Sequence, residues 1–104
     1  MSHATDRWGM VRSVPGWSLF GVPRLAKMLG CSHEVAHRML DDGEIPWLMV
    51  GKRKKVDPLH VAIYILAGQE NITPVEYWSR YSEDDLLENV ERFYRRARRI
   101  ADVG

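Results

Sequence analysis

A single cysteine, Cys31, stands in a chain of 104 residues, so an internal disulfide framework is excluded and a reducing compartment is the natural setting. Charge of one sign is also scarce. Fifteen Lys and Arg against fourteen Asp and Glu leave a formal net charge of +1. That balance excludes partner binding through bulk charge and leaves the local placement of cations to decide it. Long apolar runs are missing as well. The most apolar stretch, Leu59 to Ala67, is too short to cross a bilayer and is interrupted by His60. The N-terminus shows no apolar segment ahead of a small-residue cleavage site. A cytoplasmic protein with no membrane partner is expected.

Several catalytic signatures are absent too. There is no glycine-rich phosphate loop, no nucleophile elbow and no carboxylate pair set in an evident cleft. Asp84-Asp85 imitates such a pair, but acids in the first turn of a helix are ordinary partners of the helix dipole. Cys31, His33 and His37 look like metal ligands because the two histidines share a helix face, yet a fourth ligand at sensible spacing is lacking. No enzyme, metal or cofactor is expected.

What is present is a dense order of start and stop signals between residues 21 and 57. Val22, Leu25, Ala26, Met28 and Leu29 recur at helical spacing, with Arg24 and Lys27 on the opposite face. Leu19-Phe20 is expected to enter this first helix, with Gly21 as N-cap and Pro23 in the first turn. Gly30 stops it. Ser32 then caps a second helix that places Val35, Ala36, Met39 and Leu40 on one side and His33, Glu34, His37, Arg38 and Asp41 on the other. Asp42-Gly43 ends that helix. Trp47 to Val50 alternates like a half-buried strand, Gly51-Lys52-Arg53-Lys54 reads as a turn, and Lys55-Val56 returns. The pattern is a small winged helix-turn-helix with a two-stranded wing.

The exposed face of the second helix carries the candidate base-reading residues Ser32, His33, His37 and Arg38. Glu34 and Asp41 oppose a phosphate backbone, and Glu34 sits four residues before Arg38 in the order that favours an intrahelical ion pair of roughly 0.3 kcal/mol. With neutral histidines the face has no net positive charge, so binding should improve on acidification. Lys52, Arg53, Lys54 and Lys55 place four consecutive cations at the hairpin, where each neutralised phosphate would add a counterion-release contribution. The wing is therefore expected to supply most of the affinity for double-stranded DNA.

Residues 19 to 67 resemble the excisionase-type, MerR-like winged helix-turn-helix domains of phage and mobile elements. The likeness is carried by Met28-Leu29-Gly30, Cys31-Ser32, Gly43-Glu44-Ile45-Pro46, Val50-Gly51-Lys52-Arg53 and the Asp57-Pro58 start of the next helix. It implies sequence-specific DNA binding in integrase directionality, transcriptional control or DNA packaging, the last because terminase small subunits carry a similar module. Val35 stands where that family often has a phosphate-contacting Thr, and Glu34, Asp41 and Asp42 stand at positions that are frequently basic.

Around this unit the chain reads as follows. Residues 1–18 form an N-terminal arm, pinned by Trp8 or Trp17, from which Arg7 and Arg12 reach a neighbouring groove or phosphate only on the less favoured reading. Residues 19–70 make the winged helix-turn-helix domain, and residues 71–104 a C-terminal helical extension. Asp57-Pro58 opens a third helix running to about Gly68 that is apolar almost all the way round, so it must be covered on more than one side. Gly68 to Asn71 reads as a hinge. Thr73-Pro74-Val75-Glu76 is a capping box for a short helix, and Ser82 caps a longer one. On that last helix Leu86, Val90, Phe93, Ala97 and Ile100 form a seam of about two heptads. Packing on the chain's own third helix and homodimerisation both satisfy it. Arginines 92, 95, 96, 98 and 99 follow acids at 83, 84, 85, 88 and 91, which complements the helix dipole; a second DNA-binding stripe is the less favoured reading.

The fold class expected is thus mainly α, a winged helix-turn-helix with a C-terminal helical extension. The function expected is a non-enzymatic DNA-binding protein, excisionase-like or regulatory, associated with the nucleoid of a bacterial host. Two alternatives stay open: a factor that uses the same fold to bind a polymerase, repressor, integrase or other phage or host protein, and a packaging adaptor that works as an oligomer.

Overall fold

The computed structural model describes residues 18–103, with side chains as far as residue 97. The arm residues Arg7, Trp8, Arg12 and Trp17 and the side chain of Ile100 lie outside the described residues. The described chain is mainly helical with one small antiparallel sheet. In order, it runs β1 Phe20–Gly21, α1 Val22–Leu29, α2 His33–Asp41, β2 Leu48–Val50, β3 Arg53–Val56, α3 Pro58–Gln69, α4 Pro74–Arg80 and α5 Glu83–Val103.

The helix boundaries follow local chemistry. Gly30 ends α1 in the left-handed region (φ 70°), where it costs no Cβ clash. The amides of Gly30 and Cys31 then return to the carbonyls of Lys27 and Ala26, the doubled closure of a Schellman motif. Gly43 (φ 77°) repeats this at the end of α2, with Gly43 and Glu44 donating to Leu40 and Met39. The side chains of Ser32, Thr73 and Ser82 each accept from the amide three residues on, and Asp57 accepts from Leu59. These caps satisfy amides that a helix start leaves without an intrahelical partner.

Phe20 does not enter α1. Together with Gly21 it pairs with β3, Phe20 opposite Val56 and Gly21 opposite Lys55, and the sheet has three strands in the order β1-β3-β2. The reason is burial: Phe20 is 6% exposed, and an extended backbone points its ring into the same core as Val56. The hairpin register is Leu48 with Lys55, Met49 with Lys54 and Val50 with Arg53. Its loop is therefore Gly51-Lys52 alone, with Gly51 at φ 63° as in a type II′ hairpin.

Two apolar clusters share α3. One joins α1, α2 and the sheet through Leu25, Ala36, Leu40, Ile45 and Val56, and takes Val61 from α3. The other takes Leu59, Ala62, Ile63 and Ala67 from α3 and adds Tyr77, Trp78, Leu86 and Val90 from the C-terminal helices. The all-round apolar character of α3 is satisfied within the chain. Tyr94 touches both clusters, its ring edge-on to Phe20 at 5.9 Å. From Ile72 to Tyr94 the C-terminal helices pack on α3, and in place of the expected hinge at Gly68 to Asn71 α3 runs on through Gly68 and Gln69 to a turn at Glu70-Asn71 in which Asn71 takes φ 60°.

Candidate functional site

The exposed side of α2 and the β2–β3 hairpin emerge from the first cluster, with α3–α5 packed behind. Ser32, His33, Glu34, Val35, His37 and Arg38 are all exposed, and Ala36 and Leu40 are buried. Val35, expected on the core side, is 37% exposed. At 100° per residue the buried stripe of α2 is only as wide as Ala36 and Leu40, with Met39 at its edge, and Val35 falls beyond it. Arg38 lies 3.9 Å from Glu34 across one turn, with both side chains largely in solvent. A pair so exposed contributes little to stability and leaves Arg38 free to turn outward. The Ser32 hydroxyl accepts from the Val35 amide at 3.2 Å.

The four basic residues of the hairpin do not form a four-cation tip. Lys52 in the loop and Arg53 at the start of β3 are exposed, whereas Lys54 and Lys55 are half-buried within the strand. Alternation along β3 sends its two half-buried lysines to opposite faces: Lys54 shares its face with Val56 and Met49 and is directed toward α2, while Lys55 points the other way. The Lys54 ammonium bonds the carboxylate of Asp41 at the end of α2 and lies 5.1 Å from the centre of the Trp47 ring. The Trp47 indole N–H donates in turn to the Leu40 carbonyl at 2.8 Å. On the opposite face the Lys55 ammonium lies over Gly21, 3.4 Å from where a Cβ would stand.

α2 and the hairpin therefore meet through Asp41, Lys54 and Trp47. None of these three stood out as a joint in the sequence, since Asp41 and Lys54 are thirteen positions apart and each read as an independent surface charge. Met49 and Val50, 54% and 48% exposed, carry no sequence mark of a surface position either. With Val35 they are the exposed large apolar side chains among the described residues, and all three lie on α2 or the hairpin.

The seam on α5 divides. Leu86 and Val90 are buried in the second cluster, Phe93 and Ala97 are half-buried, and Phe93 packs on that cluster. Arg92 pairs with Glu88 at 3.2 Å on the exposed side. Among the described residues no helix is long and apolar enough to cross a membrane, and no group of three His, Cys, Asp or Glu side chains is arranged to hold a metal ion. Comparison with protein-family models, with curated proteins and with solved structures finds no match for this chain.

Proposed function

We propose that this chain binds double-stranded DNA as a winged helix-turn-helix, with α2 as the recognition helix in the major groove and the β2–β3 hairpin as the wing on the phosphate backbone. The observation that carries the reading is the exposure of Lys52 in the two-residue hairpin loop and of Arg53 at the start of β3, beside a helix whose outer face presents Ser32, His33, His37 and Arg38. Asp41, one of the two acids that oppose a phosphate from that face, is paired with Lys54. The role is that of a recombination directionality factor or transcriptional regulator, without catalysis and without a cofactor.

Titration against duplex DNA at several salt concentrations tests this. Binding should weaken with salt, and replacing Lys52 and Arg53 by Ala should flatten the log–log slope by about 2, close to one unit for each phosphate no longer engaged. No binding at low salt would overturn the proposal. It would promote the second reading, in which the same face docks on a protein such as a polymerase, repressor or integrase. The exposed apolar side chains of Val35, Met49 and Val50 favour that alternative. A packaging adaptor requires an oligomer, which light scattering measures.

A further inference from the structure

We propose that Lys54 is a positioning residue: its ion pair with Asp41 across the Trp47 ring is a strut that holds the hairpin against the end of α2 and sets the register in which the two meet a duplex. The inference rests on the DNA reading above.

The strut sits where the sheet stops supporting the hairpin. β1 pairs with β3 only at Val56 and Lys55, so from Lys54 outward the hairpin is a two-stranded ribbon with no third strand. Such a ribbon has little stability of its own. Lys54 is the first residue past the supported part, and there it turns to α2.

The end of α2 needs what Lys54 and Trp47 supply. Its final carbonyls carry the partial negative charge of the helix, which makes an acid at Asp41 unfavourable by itself. Lys54 brings the compensating cation to that carboxylate, and the Trp47 indole adds a second donor to the Leu40 carbonyl, which also accepts from the Gly43 amide. The lysine stem is covered, its side chain 19% exposed, and its ammonium faces an aromatic ring. Three residues from α2 and the hairpin segment thus close one helix end, and the hairpin cannot swing without breaking the closure.

Charge pairing also separates Lys54 from its neighbours. A cation already held by a carboxylate neutralises no phosphate, and so releases no cation condensed on the DNA, unless it first gives up its partner. Lys52 and Arg53 face solvent, and neither is ion-paired with a carboxylate among the described residues. Phosphate contact belongs to them, and register belongs to Lys54.

The test uses the full chain, a preferred site selected from a randomised duplex pool, and a random duplex, each titrated at several salt concentrations. Lys54→Met keeps the stem over Trp47 and removes the charge, and Asp41→Asn removes the partner. Each should lower the ratio of site to random affinity about tenfold, comparable to spoiling one base-pair contact. Random-duplex affinity should not fall in either, and the double variant should be no worse than one single. Lys54→Arg, which retains the pair, should keep the ratio. Lys52→Ala and Arg53→Ala should weaken both duplexes together and flatten each slope by about 0.9.

A parallel loss on both duplexes with a flattened slope for Lys54→Met would make Lys54 a phosphate ligand and overturn the strut alone. An unchanged ratio in Lys54→Met and Asp41→Asn also overturns it, as does an unsubstituted chain with no preference among sites. An unsubstituted chain that binds no duplex sinks the DNA reading and the strut with it.

Discussion

The hydroxyl of Tyr94, on the C-terminal helix, donates to the carbonyl of Pro58, the first residue of α3. Thirty-six residues separate the two, and the bond ties the end of the chain to the helix shared by both apolar clusters. A chain cut after Gly68 would leave Leu59, Ala62, Ile63 and Ala67 without Trp78, Leu86 and Val90. Such a fragment is expected to lack a cooperative urea transition when followed by circular dichroism. In the full chain, Tyr94→Phe removes this donor while the helical backbone bond to the Pro58 carbonyl remains, and should cost about 1 kcal/mol of unfolding free energy.

Burial holds the Tyr94 phenol well above its ordinary value, with Arg24 opposing the rise and Asp57 adding to it. The folded state therefore keeps this proton more tightly than the unfolded chain, whose tyrosines ionise near pH 10. Stability should be intact below about pH 10 and fall as pH rises beyond it, by up to about 1.4 kcal/mol per unit for this residue. Tyr64 and Tyr77 are raised in the same direction, chiefly by burial. Chemical denaturation from about pH 9 to about 11.5 should give a shallower decline for Tyr94→Phe than for the unsubstituted chain; equal declines would refute the assignment.

Leu86 is 1% exposed and Val90 is fully buried, so this part of the α5 seam is filled by the chain's own α3 and α4. The unsubstituted chain should scatter light as a monomer in the absence of DNA. Leu86→Ala should destabilise it by about 3 kcal/mol through reduced transfer energy and the cavity left behind, and the loss should not depend on protein concentration. A concentration-dependent midpoint would point to a subunit interface at this position.

Gly51 occupies φ 63° with open space around its Cα, so the constraint there is the backbone and not crowding. Gly51→Ala should cost about 1 kcal/mol by placing a Cβ in the left-handed region. Because the strain falls at the loop that presents Lys52 and Arg53, the proposed DNA binding predicts a lower duplex affinity even where a thermal melt shows the fold retained.

Much of this architecture is legible in local signals. Gly30, Ser32, Gly43, Asp57, Thr73 and Ser82 are punctuation that acts over three or four residues, and the helices begin and end where they indicate. The apolar periods of α1 and α5 also pick out Leu25, Leu86 and Val90, because a buried face must repeat at the helical period wherever its cover comes from. Less legible are Phe20, which periodicity assigns to a helix and burial draws into a strand, and Val35, whose place depends on how narrow a strip of α2 the core covers.

What the sequence determined by itself was therefore the list of helices, their ends and the presence of a basic hairpin beside a polar helix face. Only the tertiary structure decided how the four hairpin cations are used. Alternation in a strand sends Lys54 and Lys55 to opposite faces, but which face meets α2 depends on the register with β1 and β2 and on the crossing of the chain through Ile45 and Trp47. Charge pairs between residues distant in sequence are chosen by that geometry, and Asp41 and Lys54 carry no local mark of having been chosen.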